Sequence, residues 1–106
     1  MRVLNGTRFV IDLDNTICET NETIYHLSRP KKDIIKIINK LYDEGNYILI
    51  FTARGYVLKK DFRELTELQL KTWGVKYDEL KFGKPNADYY IDDKNLSIKD
   101  FIERFK

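Results

Sequence analysis

Six polar side chains in the sequence are of the types that handle a phosphate group and a divalent cation. In chain order they are Asp12, Asp14, Thr52, Lys84, Asp92 and Asp93. Two carboxylates about 5 Å apart repel each other by about 3 kcal/mol at an effective dielectric of about 20, unless a cation lies between them. All-oxygen ligands suit Mg²⁺, which keeps several waters and shares its remaining positions with a phosphate. We therefore expect a Mg²⁺ site at which Asp12 acts as a nucleophile toward phosphorus.

Four predicted strands must position these side chains, because each candidate lies at or just after the end of an apolar run. Buried strands are predicted over residues 7–12, 47–51, 80–82 and 89–91. Helices are predicted from Pro30 to a stop at Gly45, over 57–73, and from an N-cap at Ser97 to Phe105. This alternation predicts a mostly parallel sheet with helices packed on it. Ligands of such sheets bind beyond the carboxyl ends of the strands, so the candidates should meet at one edge.

Each of these motifs is weak when taken alone. An Asp after a strand is often a turn residue or a helix cap, a Thr at a strand end usually bonds to local backbone, and a loop Lys is usually solvated. Their joint occurrence, in this order and at matching strand ends, arises by accident far less often.

The same residues resemble the four signature motifs of the haloacid dehalogenase superfamily, in the same order. The motifs are Asp12-x-Asp14-x-Thr16, Thr52, Lys84 and Asp92-Asp93, and the resemblance extends from Phe9 to about Ile98. Three stretches are similar to small phosphatases from capsular polysaccharide gene clusters. They are the run from Ile11 to Cys18, the run Thr52-Ala53-Arg54-Gly55, and Tyr77-Asp78-Glu79-Leu80 leading to Gly83-Lys84-Pro85. The resemblance implies one domain over residues 1–106, a Rossmann-like three-layer α/β sandwich with a sheet of about four strands.

The resemblance also implies a phosphatase mechanism and a metal site. Asp12 attacks phosphorus and becomes an aspartyl phosphate, while Asp14 protonates the leaving group and then activates water. Mg²⁺ is held by the carboxylates of Asp12 and Asp92 and by the backbone carbonyl of Asp14. Asp93 supports the metal through water. The groups that hold the phosphoryl oxygens, by side chain or by backbone N–H, are Asn15, Thr52, Ala53, Arg54 and Lys84.

No cap domain is expected, because residues 17–29 and 85–88 are too few to form one. The active site should therefore be open unless a neighbouring copy of the chain covers it. The substrate implied by the resemblance is a small phosphorylated carbohydrate of cell-surface polysaccharide synthesis. The roles of the Arg54 side chain and of His26 stay open.

Other classes of protein share parts of this pattern. A receiver-type signalling domain also uses a phospho-accepting Asp, an acidic pair, a Thr and a Lys, but its acidic pair comes first and it needs no acid/base group like Asp14. A polynucleotide end phosphatase would use an open site and the basic group Arg54, Lys59, Lys60 and Arg63. We interpret that group as a solvated helix face, because no aromatic ladder is interleaved with it, and nucleic acid is not expected as a partner. The intact set of site residues argues against an inactive relative.

Composition narrows the function only slightly. The 106 residues carry a formal net charge of +2, so a strongly basic nucleic-acid binder is not the default. The single cysteine, Cys18, is expected to be a small buried residue, with a catalytic Cys18–His26 pair as the alternative. No apolar run reaches membrane-spanning length and no apolar signal region precedes Thr7, so we expect a cytoplasmic protein without a membrane partner.

Phosphate release by this chain should require Mg²⁺, because the predicted ligands are carboxylates with no zinc-type His or Cys pattern. Excess chelator should abolish release, and added Mg²⁺ should restore it. A chelator saturated with Mg²⁺ beforehand is the control and should not inhibit. Full activity in free chelator would contradict the expected metal requirement.

Overall fold

A computed structural model describes residues 6–106 as five short strands, three helices and one helical turn. The strands are β1 (Arg8–Ile11), β2 (Cys18–Glu19), β3 (Arg29–Pro30), β4 (Tyr47–Thr52) and β5 (Glu79–Phe82). The helices are α1 (Lys32–Asp43), α2 (Arg63–Thr72) and α3 (Ile98–Phe105), and the helical turn is Tyr25–Leu27. β2 and β3 form a small antiparallel pair that precedes α1. Across this part of the chain, each helix is too short or too polar to cross a bilayer.

The main sheet consists of β1, β4 and β5 in that order, and all three strands run parallel. Ile11 at the end of β1 lies opposite Ile50, and Thr52 at the end of β4 lies opposite Phe82. Each connection between neighbouring strands contains a helix, as parallel pairing requires. The predicted Rossmann-like α/β class with a mostly parallel sheet is confirmed. The carboxyl ends of the three strands lie along one edge.

One face of the sheet carries the hydrophobic core. Side chains alternate along β4, so Ile48, Ile50 and Thr52 are all buried on this face. The apolar stripe of α1 packs against it with Ile34, Ile35, Ile37, Ile38 and Leu41. The spacing of these aliphatic residues is that of one helix face, as the sequence predicts.

α3 packs on the same face of the sheet. The rings of Phe101 and Phe105 meet Phe9 of β1 edge-on, at centroid distances of 6.2 and 5.1 Å. The predicted N-cap of this helix is confirmed, since Ser97 Oγ accepts the Asp100 backbone N–H at 3.1 Å. The cap fixes the first residue of α3, and hence which of its side chains lie on the face toward Phe9.

The opposite face of the sheet is open, and Val10 of β1 is 66% exposed there. The buried apolar side chains of α1 and α2 belong to one core cluster with Ile48 and Ile50. The chain steps from β1 to β4 to β5 in one direction across the sheet. Right-handed connections that step in one direction place their helices on the same side. α3 joins that side as well through its contacts with Phe9.

The predicted strand over 89–91 is wrong, and the sheet has three strands instead of about four. Ile91 is 96% exposed, and within residues 6–106 β1 pairs with β4 alone. Side-chain bonds hold this segment as a loop: the Tyr90 hydroxyl donates to the Pro85 carbonyl oxygen, and the Asn95 amide donates to the Tyr90 carbonyl oxygen at 3.5 Å. The apolar run is short enough for such local bonds to outweigh strand pairing.

The second predicted helix starts too early, because α2 begins at Arg63 and residues 56–62 form a loop. Lys59 has a left-handed backbone with φ 54°, which interrupts a helix. Gly55, with φ 86°, starts the turn, and its carbonyl oxygen accepts the Lys59 N–H at 2.9 Å. The loop places Leu58 in solvent instead of the core. Because it directly follows β4, this loop lies next to the carboxyl edge.

Leu70 and Leu68 provide a matched test of the core, since both lie in α2 but Leu70 is fully buried and Leu68 is 61% exposed. Leu70→Ala should lower the free energy of unfolding by about 2–5 kcal/mol, because it removes apolar contacts and leaves a cavity. Leu68→Ala should change it by less than about 0.5 kcal/mol. Urea unfolding followed by circular dichroism measures both values. Equal losses in the two variants would show that this face of α2 is wrongly assigned.

Candidate active site

Three of the predicted site residues meet at the carboxyl edge of the sheet. Asp12 directly follows β1, Thr52 ends β4 and Lys84 follows shortly after β5. The Lys84 ammonium lies 3.3 Å from Asp12 Oδ1, and the Lys84 backbone N–H donates to the Thr52 carbonyl oxygen at 3.2 Å. The Asp12 side chain is 36% exposed. A carboxylate that is open to solvent beside a fixed ammonium suits a nucleophile that must approach an anionic group.

The turn after β1 gives Asp12 its position. The Leu13 carbonyl oxygen accepts the N–H groups of Thr16 and Cys18, both at 3.2 Å, and Asn15 adopts a left-handed conformation with φ 64°. Asparagine tolerates this conformation better than most residues. The Thr16 hydroxyl donates to Asp12 Oδ2 at 3.4 Å. The Asn15 N–H, a predicted phosphate ligand, donates to the Cys18 carbonyl oxygen at 2.6 Å and so belongs to the turn in this structure.

Asp14 is held by a two-point contact with Arg54. Arg54 Nε lies 3.0 Å from Asp14 Oδ2, and Nη2 lies 2.9 Å from Oδ1. The Thr20 hydroxyl also donates to Oδ1. The Arg54 side chain is fully buried, whereas that of Asp14 is 20% exposed. Two parallel bonds between planar groups fix the orientation of the Asp14 carboxylate.

The Arg54 guanidinium bonds inside the protein through all of its nitrogens. Besides its bonds to Asp14, Nη1 donates to Gln69 Oε1 at 2.6 Å and to Thr66 Oγ1 at 3.0 Å. Nη2 also donates to Ser28 Oγ at 3.4 Å. A guanidinium has five N–H donors, and these contacts use them. In this arrangement all five donors of the Arg54 side chain are engaged inside the protein.

Tyr25 completes the surroundings of Arg54. Its ring centroid lies 4.7 Å from Arg54 Cζ, and its carbonyl oxygen accepts the Gln69 Nε2–H at 2.7 Å. Its ring also meets Phe62 edge-on at 4.9 Å. Burial raises the pKa of the Tyr25 hydroxyl. These contacts tie the helical turn before α1 to α2 and to the loop after β4.

The segment after β4 forms a closed turn. Thr52 is fully buried, and its Oγ1 accepts the Arg54 backbone N–H at 3.1 Å. Ala53 is partly exposed, and its carbonyl oxygen accepts the Tyr56 N–H at 3.0 Å. The segment thus lies at the predicted place, and the binding of phosphate by Thr52, Ala53 and the Arg54 N–H stays a prediction.

The acidic pair Asp92 and Asp93 lies outside this group, in the exposed loop that precedes α3. The Lys94 backbone N–H donates to Asp92 Oδ1 at 2.9 Å, and this bond lowers the pKa of the Asp92 carboxyl. Among residues 6–106, no three acidic, histidine or cysteine side chains are gathered closely enough to share a metal ion. The oxygen ligands suit Mg²⁺ chemically, but their placement does not fit the predicted site.

Cys18 is fully buried beneath the Asp14 turn, and burial raises the pKa of its thiol. Its Sγ lies 3.6 Å from Asp14 Oδ1 and 3.5 Å from Thr20 Oγ1. His26 is exposed on the helical turn. The interpretation of Cys18 as a small buried residue is confirmed, and the geometry gives no support to a thiolate–imidazole pair.

Sequence reasoning missed the side chains that bond to Arg54. Thr66 and Gln69 are polar residues at buried positions of α2. Polar residues on the inward face of a helix indicate a buried polar partner, so this signal was available. Ser28 and Tyr25 come from an irregular segment, where no periodic pattern distinguishes inward from outward positions.

No protein-family model matches the chain, and no curated protein matches it. Three solved chains match its structure. An MCSG target protein from Vibrio cholerae is 27% identical over 92% of this chain and 88% of its own, with a TM-score of 0.76. Chains of the Pnkp1/Rnl/Hen1 complex and of the Pnkp1/Rnl/Hen1 RNA repair complex are both 19% identical, with TM-scores of 0.62 and 0.61. They match 82% and 79% of this chain, which spans 31% and 27% of their length.

These two matches to the RNA repair proteins are matches of fold alone. Fold and site together define an α/β protein with a parallel sheet, whose carboxyl edge holds Asp12 beside Lys84 and an oriented Asp14.

Arg54→Met should lower the free energy of unfolding by about 3 kcal/mol, because it leaves Asp14 and two polar side chains of α2 without their shared partner. The partial exposure of Asp14 keeps the loss from being larger, since solvent screens its charge. The control is Lys76→Met, which breaks an exposed ion pair of 2.8 Å with Asp43 and should cost less than about 1 kcal/mol. Urea unfolding measures both. If Arg54→Met were no more destabilising than Lys76→Met, the Arg54 contacts would not be a structural anchor.

Proposed function

We propose that the chain is a phosphomonoester hydrolase of the haloacid dehalogenase type, with Asp12 as its nucleophile. The observation that supports this most directly is the Asp12 carboxylate, which lies between the Lys84 ammonium and the Thr16 hydroxyl. Asp14 follows closely in the chain and is held in one orientation. A nucleophile, a neighbouring cation and an oriented second carboxylate are the groups that phosphoryl transfer through a carboxylate requires.

The proposed reaction has two steps. In the first, Asp14 takes up a proton from solvent, an Asp12 carboxylate oxygen attacks phosphorus, the bond from phosphorus to the leaving oxygen breaks, and that oxygen takes the proton from Asp14. The phosphoryl group is then on Asp12 as an aspartyl phosphate. In the second, water attacks this phosphorus while Asp14 takes a proton from the water and then returns it to solvent, so phosphate leaves and both carboxyl groups return to their starting states. Lys84 offsets the negative charge of the phosphoryl oxygens.

The two oxygens of Asp14 differ in their surroundings. Oδ1 lies near Arg54 Nη2, the Thr20 hydroxyl and the Cys18 thiol, whereas Oδ2 accepts the Arg54 Nε–H at 3.0 Å. The proposal assigns the transferred proton to Oδ2, because the oxygen with fewer neighbouring donors has a lone pair to spare. Arg54 is then a positioning residue, which acts on the reaction only through Asp14.

One candidate substrate is a small phosphorylated carbohydrate, in keeping with the resemblance to capsular polysaccharide phosphatases. A second candidate is a phosphorylated nucleic-acid end. It is favoured by the fold shared with chains of an RNA repair complex, and by cation–aromatic pairs along the same edge of the sheet. A second copy of the chain would be the cover for the open site. Mg²⁺ remains an expectation from the sequence, since the described residues as placed do not gather its predicted ligands.

Asp14→Asn should separate the two carboxylate roles. On an alkyl phosphate the turnover number should fall by about 10²–10⁴-fold, because the leaving oxygen loses its proton donor. The loss should be smaller on an aryl phosphate, whose leaving group needs little protonation. Asp12→Asn should abolish turnover of both substrates. Rate ratios of variant to wild type on the two substrates, with intact-protein mass after rapid quenching, measure these effects.

The matched control is Asp43→Asn, which makes the same change at an exposed carboxylate of α1 that pairs with Lys76 and keeps both site carboxylates. Its ratio of alkyl to aryl turnover should equal that of the wild type. Equal alkyl phosphate rates in Asp14→Asn and wild type would remove Asp14 from the mechanism. A wild-type protein that keeps its phosphoryl group for minutes without turnover would favour a receiver-type switch instead.

A further inference from the structure

Four pairs of a cation and an aromatic ring lie near the carboxyl edge of the sheet. The basic-aromatic rim, as we define it, consists of Tyr56, Lys59, Lys60, Phe62, Arg63, Phe82, Lys84 and Tyr90. The distances from charged group to ring centroid are 4.8 Å for Lys59 and Tyr56, 5.7 Å for Lys60 and Phe62, 4.7 Å for Arg63 and Phe82, and 4.2 Å for Lys84 and Tyr90. All four lie within the range of a favourable cation–π contact.

The rim is assembled from three separate segments, which are the loop after β4 with the start of α2, the end of β5, and the loop after β5. The interpretation of the basic group as a solvated helix face is therefore wrong for Lys59 and Lys60, which lie in a loop. Gly55 allows this loop to close, because a Cβ at that position would collide with the Lys60 carbonyl oxygen. Two of the cation–ring pairs join residues that are close in the sequence, whereas Arg63 reaches Phe82 from a distant segment.

The rim begins at the proposed nucleophile. Lys84 belongs both to the rim and to the surroundings of Asp12, since its ammonium lies 3.3 Å from Asp12 Oδ1 and 4.2 Å from the Tyr90 ring. Tyr90 and Tyr56 are each nearly half exposed, so their rings are accessible. Arg63 is exposed as well, and it lies over Phe82 at the end of β5. An extended ligand whose end is at Asp12 can therefore continue along the rim.

The charge of the rim favours an anionic ligand, although only moderately. Lys59, Lys60 and Arg63 provide three positive charges on this stretch, and Asp61 and Glu64 provide two negative ones. The Asp61 carboxylate accepts the Arg63 backbone N–H at 2.9 Å. The rim therefore suits a ligand that combines a few phosphates with flat rings better than one that offers charge alone.

We propose that the basic-aromatic rim binds the single-stranded end of a nucleic acid whose terminal phosphate lies at Asp12. The proposal rests on the proposed phosphatase function and names its substrate class. Every base presents a flat face on which a tyrosine can stack, and every linkage presents a phosphate that a lysine or arginine can contact. A small sugar phosphate at Asp12 would reach Lys84 and leave Tyr56, Lys59 and Lys60 without a role.

Binding is measured by fluorescence anisotropy with a labelled octanucleotide that carries a 3′- or a 5′-phosphate, on wild type and on Asp12→Asn. The Asp12→Asn variant separates binding from turnover. Tyr56→Ala should weaken binding about tenfold through the loss of one stacked base. Lys59→Ala with Lys60→Ala should reduce the slope of log affinity against log salt by about 1.4, which corresponds to two phosphate contacts on a single strand.

The matched control replaces two exposed lysines of α1, as Lys32→Ala with Lys36→Ala. It changes the net charge by the same amount away from the rim and should leave affinity within about twofold at moderate salt, where distant charges are screened. Turnover gives a second readout. The ratio of kcat/KM on the phosphorylated octanucleotide to kcat/KM on an aryl phosphate should fall about tenfold in Tyr56→Ala and stay constant in the α1 control.

Four outcomes decide the proposal. Binding that weakens in the rim variants and not in the control supports it, even if no phosphate ester is hydrolysed, in which case the phosphatase function alone fails. Aryl phosphate hydrolysis without octanucleotide binding overturns it and leaves the phosphatase function standing. If inorganic polyphosphate binds as tightly as the octanucleotide, and Tyr56→Ala does not weaken its binding, the proposal is overturned in favour of a general anion-binding surface. Anionic lipid vesicles are tested as competitors of the octanucleotide. If they displace it from the wild type but not from Val57→Ser, which alters an exposed apolar side chain, the proposal is overturned in favour of a membrane surface.

Discussion

The site depends on one constraint, which is that a buried guanidinium must satisfy all of its N–H groups. Arg54 does so only where the turn after β1, the helical turn before α1 and the inner face of α2 all approach the end of β4. An unpaired charge at that depth would cost several kcal/mol, so the segments are held together as a set. The orientation of Asp14 follows from this arrangement, because its carboxylate supplies the negative partner. The chemistry and the packing of the domain therefore share one residue.

The parts of the fold that could be predicted are those that local sequence patterns indicate. Apolar runs located β1, β4 and β5, and the parallel arrangement then placed Asp12, Thr52 and Lys84 together at one edge. Contacts between distant segments could not be predicted this way. The pairing of Arg54 with Gln69, or of Arg63 with Phe82, joins residues that no periodic pattern connects. The prediction for residues 89–91 was wrong for the opposite reason: the apolar pattern predicts a strand, but the side chains of Tyr90 and Asn95 bond within the loop.

The proposed reacting groups and the proposed binding surface lie on different kinds of structure. Asp12 and Asp14 lie in a short turn that buried contacts hold on several sides. The loop over 56–62 is instead exposed, and its shape is set by Gly55 and by the left-handed backbone at Lys59. Changes at Tyr56, Lys59 or Lys60 would alter the proposed binding surface, whereas Phe62 also packs on the Tyr25 ring. Loops on a rigid scaffold are the usual place for such variation.

β1 has a feature that links assembly to chemistry. Among residues 6–106 it pairs with β4 alone, so it is an edge strand of the described sheet. Asp12 directly follows that strand. A strand that docked beside β1, from the same molecule or from another, would bond to the backbone immediately before the proposed nucleophile. Self-association through β1 would thus affect the position of the Asp12 carboxylate, without any contact between the docked strand and a substrate.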